Sequence, residues 1–174
     1  MRQSHLNPAL FAALGLIAIL AVLQTSLVSH FAIGGFWPDL VLLAVINWGL
    51  IRGVEEGMLC GLVGGVIIDL TSGLPFGTSS VAYVCVAGVV SLGESALMRT
   101  HILLPTIAAL VGTIIYFCVA IVIVASINHE VLLNGSVGHT ILGVAVYNAV
   151  INPLVYLAAH ALDRTLHPVV RTSW

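Results

Sequence analysis

The sequence predicts an all-α, polytopic integral membrane protein with six transmembrane helices and both termini in the cytoplasm. This prediction rests on an apolar composition, six apolar runs and a one-sided placement of arginine. Of the 174 residues, 60% are hydrophobic and 7% are charged, and the mean hydropathy is +1.15. Soluble domains carry about 25% charged residues, so a soluble globular protein is excluded. The net charge of −2 gives no indication of nucleic-acid binding.

Six apolar runs divide the chain, which we interpret as a single membrane domain over residues 1–174. The first run is longer than the 7–15 residues of a signal-peptide core, so we expect it to be retained as a span. The second and third are short for a layer that needs about 20 residues, and their flanks must supply the remaining length. The predicted spans are 8–29, 39–51, 57–74, 78–98, 102–128 and 138–162.

Arginine placement gives the orientation. The chain has no lysine, and its arginines precede the first span, follow every second span, or follow the last. The gaps after spans one, three and five contain no arginine. Because cytoplasmic loops are enriched in cations, the arginine side is predicted to be cytoplasmic. The five cations are Arg2, Arg52, Arg99, Arg164 and Arg171.

Two carboxylates flank the second and third spans. Asp39 lies about 13 residues before the charged turn 52–56, and Asp69 lies about as far after it. At ~1.5 Å per helical residue, each carboxylate is ~20 Å from the turn. We therefore expect the two carboxylates at one depth near the outer surface, where Trp37 suits an interfacial anchor.

Each carboxylate has a structural and a functional interpretation. Asp39 follows Pro38 and opens a helix, so it is either an N-cap or a polar anchor for a partner or a buried network. Asp69 lies near a helix C-terminus, where the dipole disfavours a negative charge. Either Thr71 and Ser72 satisfy it in a structural turn, or it is one of the ionisable groups that mark function within membranes.

Small residues surround Asp69 in the sequence. Gly57, Gly61 and Gly65 recur at four-residue spacing, which lets a second helix backbone approach closely. We interpret this glycine stripe as a seat for the transmembrane helix of a partner. After Asp69, a tight loop is predicted at Gly73, Pro75 and Gly77.

The last span carries a polar stripe at four-residue spacing. Interhelical hydrogen bonds and the lining of a ligand site both fit this pattern, and Pro153 predicts a kink. Asn47 is a similar lone polar residue in the second span. The stripe consists of Asn148, Asn152 and Tyr156, followed by His160.

Patterns of catalytic or metal-binding residues are missing from the sequence. Cys60, Cys85 and Cys118 lie in apolar runs and are expected to be small buried hydrophobic residues. The seven histidines show no i, i+4 pairing that would suit a metal ion. An aspartyl dyad of Asp39 and Asp69 lacks the G-x-G-D motif of intramembrane proteases. We therefore predict no enzyme activity, no cofactor and no metal site.

The order of these motifs resembles the MreD family of rod shape-determining membrane proteins. The similarity spans nearly the whole chain, and its specific part is residues 38–77. This resemblance implies a non-enzymatic scaffold or regulatory subunit of the cell-elongation and peptidoglycan-synthesis machinery in the bacterial inner membrane. It implies as partners the transmembrane helix of MreC, RodA with its penicillin-binding transpeptidase, MreB and the lipid bilayer. The matching motif positions are Pro38, Asp39, Asp69, Gly73, Pro75 and Gly77.

Two other classes remain open. Substrate-binding subunits of energy-coupling-factor vitamin transporters have a similar size and use an A-x-x-x-A stripe on the first span, which Ala9 and Ala13 match weakly. Asn148, Asn152 and Tyr156 would then contribute to the vitamin site. A proton-coupled transporter that uses Asp69 as its relay is the third possibility, although no internal repeat is visible.

Overall fold

Six α-helices make up the regular structure of the computed structural model, which describes residues 8–27, 36–92, 103–127 and 135–166. The predicted all-α class is confirmed. Two of these helices, α5 and the part of α6 from Val137 to Leu166, are long and apolar enough to cross a membrane by length and composition. The helices are α1 (Pro8–Leu27), α2 (Leu40–Arg52), α3 (Val54–Thr71), α4 (Thr78–Ser91), α5 (Leu103–Ile127) and α6 (Gly135–Leu166).

Helix α2 is the centre of the bundle. It contacts each of the other five described helices, and nine of its 13 residues are buried. Its sequence explains this position, since apart from Asn47 and the terminal Arg52 it is apolar all round. A helix that is hydrophobic on every face is stable only when it is surrounded.

One residue, Gly53, connects α2 to α3. Its φ of 94° is a left-handed backbone conformation that glycine adopts at little cost. The sequence predicted a charged turn over 52–56, whereas α3 already begins at Val54. Glu55 and Glu56 therefore lie in the first helical turn, where the helix dipole favours negative charge.

Helices α3 and α4 form the most extensive helix pair in the described part of the chain, and the glycine stripe lies between them. A Cβ added at Gly61 would lie 3.0 Å from the backbone carbonyl of Tyr83, and one at Gly65 would lie 2.6 Å from the Ser80 nitrogen. The other end of the stripe faces α2, where a Cβ at Gly57 would lie 2.7 Å from Gly49 Cα.

This packing changes the interpretation of the stripe. The expected close approach of a second backbone is present, but the helices that occupy Gly57, Gly61 and Gly65 belong to this chain. A partner helix on the stripe would have to displace α4. The fold therefore does not offer the stripe as a free seat for a partner.

Ionic contacts lie where α2 ends and α3 begins. Arg52 Nε lies 3.4 Å from both Glu56 Oε2 and Asp163 Oδ1, so it joins α2, α3 and α6. The indole of Trp48 donates to Glu56 Oε2 at 3.1 Å. We call this end of the bundle, with Arg52, Asp163 and Arg164, the arginine end.

The contact between α3 and α4 gives the first testable prediction. Gly65→Ala should lower stability by about 1–3 kcal/mol, the usual cost of overpacking, because its Cβ would meet the Ser79–Ser80 backbone. Gly88→Ala on α4 is the matched control, since a Cβ there meets nothing within 4 Å. Thermal unfolding of the purified protein in detergent measures both. Equal stability of the two variants would contradict the packing described here.

Candidate functional site: two carboxylates at one end of the bundle

Asp39 caps the central helix. Its Oδ1 accepts a hydrogen bond of 3.0 Å from Leu42 N, and its carbonyl accepts one from Leu43 N. The side chain thus satisfies one of the backbone N–H groups left free at a helix N-terminus. The preceding Pro38 is buried. The N-cap interpretation of Asp39 is confirmed.

The same carboxylate also binds two other helices. Gln24 Nε2 of α1 donates to Oδ1 at 3.1 Å, and the Tyr83 hydroxyl of α4 donates to Oδ2 at 2.8 Å. Gln24 Oε1 also accepts a hydrogen bond of 3.0 Å from Val41 N. Both the nitrogen and the oxygen of the Gln24 amide are therefore hydrogen-bonded at the start of α2. Hydrogen bonds to an ionised acceptor are about twice as strong as neutral ones.

The backbone of Asp39 extends these contacts to α5 and α6. Its N–H donates to Asn148 Oδ1 at 3.0 Å, and Asn148 Nδ2 donates to Thr113 Oγ1 at 3.0 Å. The Thr113 hydroxyl in turn donates to the carbonyl of Ala109. The resulting chain of hydrogen bonds joins every described helix except α3. We call Gln24, Asp39, Tyr83, Thr113 and Asn148 the Asp39 network.

Asp69 supplies the corresponding connection for α3. Its carboxylate accepts from Ser79 N at 2.7 Å, Ser80 N at 3.0 Å and Gly77 N at 3.1 Å. The Ser80 hydroxyl adds a fourth bond of 2.7 Å. Asp69 lies in the last turn of α3, but its side chain faces the N-terminus of α4, where free N–H groups and the dipole favour a negative charge.

The partners of Asp69 lie further along the chain than those expected from the sequence. The sequence analysis considered Thr71 and Ser72 as its partners, but the Thr71 hydroxyl donates to the carbonyls of Ile67 and Ile68. The carboxylate is satisfied instead across the loop. That loop closes through Thr78 N and Oγ1, which both donate to the carbonyl of Pro75.

The loop glycines have different surroundings. Gly77 has a φ of 96°, a left-handed conformation that lets its N–H point at Asp69 just before α4 begins. Gly73 is exposed, with open space around it. Of these two loop glycines, Gly77 is therefore the one whose backbone conformation favours glycine.

Asp39 and Asp69 lie at the same end of the bundle, as their spacing predicted. Asp69 binds Ser79 and Ser80, and Asp39 binds Tyr83, one helical turn further along α4. Each carboxylate has its own set of donors. We call this end the carboxylate end.

The residues of the polar stripe in α6 make different kinds of contact. Asn148 belongs to the Asp39 network, and Asn152 Oδ1 accepts from Asn47 Nδ2 at 2.7 Å. Asn152 Nδ2 donates to the carbonyl of Pro105 at 2.6 Å, so these two amides join α2, α5 and α6. Tyr156 instead stacks on His160, with ring centroids 5.8 Å apart.

Pro153 lies inside α6, which runs from Gly135 to Leu166, and the kink predicted there stays a prediction. The prediction for the cysteines differs from the structure in part. Cys60 is buried as expected, but Cys85 and Cys118 are exposed on apolar helix faces. An exposed cysteine fits a face turned towards lipid, since it behaves as a small hydrophobic residue.

A cavity of about 240 Å³ lies beside the Asp39 network. All five residues of the network line it, together with Trp37, Tyr116 and Phe117. Residues of all six described helices line it at the carboxylate end, α3 through Ile68. In this cavity, polar side chains of the bundle are accessible to a small molecule.

Sequence reasoning missed three members of the network. Gln24, Tyr83 and Thr113 are polar residues in predominantly apolar helices, and that setting was the available signal. A polar group inside a membrane helix needs a partner. These helices contain several polar residues, so their presence does not indicate which pairs form.

The fold and these hydrogen bonds define a class: an α-helical bundle with an apolar exterior and interhelical polar contacts, typical of membrane proteins. The model of the protein family described as rod shape-determining protein MreD matches residues 6–162. The chain therefore belongs to the MreD family, whose members are bacterial membrane proteins that act in rod shape determination. No curated protein and no solved structure matches the chain.

The role of Asp69 gives the second prediction. Asp69→Ala should destabilise the protein by at least about 1–3 kcal/mol, because it leaves three backbone N–H groups, two of them buried, without their acceptor. Thr71→Ala serves as the control and should change stability by less than about 0.5 kcal/mol. Thermal unfolding in detergent compares the two variants. If Thr71→Ala destabilised the protein as much as Asp69→Ala, the result would indicate that Asp69 acts in a local turn with Thr71 and does not hold α3 to α4.

Proposed function

We propose that this chain is a non-enzymatic, multi-pass scaffold of the cell-elongation machinery in the bacterial cytoplasmic membrane, and that it binds the transmembrane helix of MreC. The observation that carries this proposal is that Asp39 and Asp69 join helices to one another through hydrogen bonds. A bundle fixed in this way presents stable faces to other membrane helices. Membership of the MreD family supplies the cellular process.

The state of the carboxylates supports a role without catalysis. A general acid or base must reach a substrate proton with a free hydrogen-bonding site. Asp69 accepts four hydrogen bonds from α4 and its preceding loop. Asp39 accepts three through its side chain, all from within the bundle. Asp69 is thus committed to structure, and Asp39 uses three of its about four acceptor sites in the same way.

A multi-pass arrangement is supported by the distribution of charge along the bundle. Arg52 and Arg164, the arginines of the described residues, lie at the arginine end, and Asp39 and Asp69 lie at the carboxylate end. The positive-inside rule then makes the arginine end cytoplasmic. The proposed topology has six spans with both termini inside.

Cysteine labelling in intact cells is the test of this topology. With the three native cysteines replaced by alanine, Gly73→Cys should react with an impermeant maleimide added outside. Glu55→Cys should react only after the cells are permeabilised. Both positions are exposed, so access to the side chain does not limit either reaction. Reaction of both positions from the same side would contradict the proposed orientation.

A groove between α1 and α6 is the proposed seat for MreC. It measures about 320 Å³, is lined by apolar side chains and has α2 as its floor. Helices α1 and α6 make few contacts with each other, which leaves the groove open along their length. Ala13, Ala44 and Ala158 line it, and small residues permit close approach of a helix in a membrane. This groove replaces the glycine stripe as the expected docking face.

Co-purification with MreC tests the groove. Ala158→Phe fills it and should remove most of the bound MreC, while Ala161→Phe on the same helix should leave binding unchanged. Both alanines are exposed, but Ala161 is not part of the groove. Equal loss in both variants, or no loss in either, would move MreC to another face. Restoration of rod shape in cells that lack the native protein tests the cellular role separately.

The remaining partners fit the same scaffold. RodA with its penicillin-binding transpeptidase would meet faces that MreC leaves free, and MreB would meet the cytoplasmic arginine end. Exposed apolar side chains occur on all the described helices other than the buried α2. The bundle therefore has surface for more than one membrane partner.

A further inference from the structure

The cavity beside the Asp39 network contains an acceptor that the fold does not use. A carboxylate offers about four lone-pair sites on its two oxygens. Oδ1 of Asp39 accepts from Leu42 N and Gln24 Nε2, and Oδ2 accepts from the Tyr83 hydroxyl. One site on Oδ2 therefore remains, on a side chain that lines the cavity. A ligand that fills this site must donate a hydrogen bond.

The charge of Asp39 is not balanced by a described cation. Arg52 and Arg164 are the arginines of the described ranges, and both lie at the arginine end. The dipole of α2 places roughly half a positive charge at its N-terminus. An ionised Asp39 therefore has no counter-charge among the described arginines, and a cation in the cavity would supply one.

Aromatic side chains also line the cavity. Tyr83 and Tyr116 have ring centroids 5.3 Å apart, and Tyr116 and Phe117 are also 5.3 Å apart in an edge-to-face arrangement. Trp37 lines the same cavity and is 48% exposed, which places it at the mouth. The faces of such rings attract cations and recognise ammonium groups in particular.

Size narrows the ligand further. Pockets for drug-sized molecules measure about 300–1,000 Å³. At about 240 Å³, this cavity suits a small head group. Its mouth carries a tryptophan, a residue enriched at the level of lipid head groups.

We propose that this cavity binds an ammonium group, held by the free acceptor site of Asp39 and enclosed by Tyr83, Tyr116, Phe117 and Trp37. The ammonium belongs either to the head group of an aminophospholipid or to a free small amine. Asp39 thereby has two functions, fastening the helices and receiving the cation. The site is separate from the groove between α1 and α6, and it does not depend on MreC.

The test uses the purified full chain in nanodiscs of phosphatidylglycerol, which has no amine. Ethanolamine and methylammonium, which both carry N–H donors, are titrated and binding is followed by saturation-transfer NMR, with glycerol as the neutral probe. In a second arm, nanodiscs contain phosphatidylethanolamine, and native mass spectrometry measures the lipid retained. Retained lipid without binding of free amines identifies a lipid site, and binding of the free amines identifies an open amine site. Both outcomes support the proposal.

Variants assign the ligand to the cavity. Asp39→Asn and Phe117→Leu should each weaken binding at least tenfold, while Glu55→Gln, which removes an exposed carboxylate outside the cavity, should bind as the wild type does. Circular dichroism and gel filtration confirm the fold, and Phe117→Leu decides the result where Asp39→Asn does not fold. No binding by the wild type, equal binding of glycerol, or unchanged binding by both cavity variants would overturn the proposal.

Discussion

Pairing of buried polar groups at Asp39 is the constraint on which the rest of this structure depends. Helix α2 is apolar enough to be surrounded, yet its first turn leaves backbone N–H groups that lipid cannot satisfy. Asp39 takes one of them and then binds Gln24 and Tyr83. Its own N–H reaches Asn148. The position of the central helix therefore fixes the positions of four others.

Helix α3 is fastened by a different combination of forces. Gly61 and Gly65 bring its backbone against that of α4, which increases dispersion contact along the pair. Asp69 then binds the N-terminal turn of α4 at the end of this contact. Close packing alone permits sliding along the helix axis. The carboxylate removes that freedom, because its oxygens match the N–H groups in only one register.

Much of this fold follows from local sequence rules. The hydrophobic runs predict the helices, Pro38-Asp39 predicts the start of α2, and equal spacing from the turn predicts that both carboxylates share one end. These inferences depend on neighbours in the sequence, and local physics is sufficient for them. The close approach expected at Gly61 also follows from helical spacing.

Pairing between distant residues could not be predicted in the same way. Asn47 and Asn152 bind each other, but several lone polar residues in this chain offer equally plausible partners. The glycine stripe likewise predicts a close helix without saying which helix. The sequence assigned it to a partner, and the structure assigns it to α4. The order of the helices around the bundle depends on how whole helix faces fit together. The periodicity along one helix carries no information about that fit.

The two ends of the bundle are built for different purposes. At the arginine end, opposite charges meet: Arg52 lies between Glu56 and Asp163, and Trp48 covers part of the pair. That cluster joins one guanidinium to two carboxylates and so connects α2, α3 and α6. At the carboxylate end, Asp69 is saturated by backbone donors, but Asp39 lines a cavity and keeps an acceptor site. A scaffold needs closure at both ends for rigidity. The open cavity at one end is therefore the feature that rigidity alone does not explain.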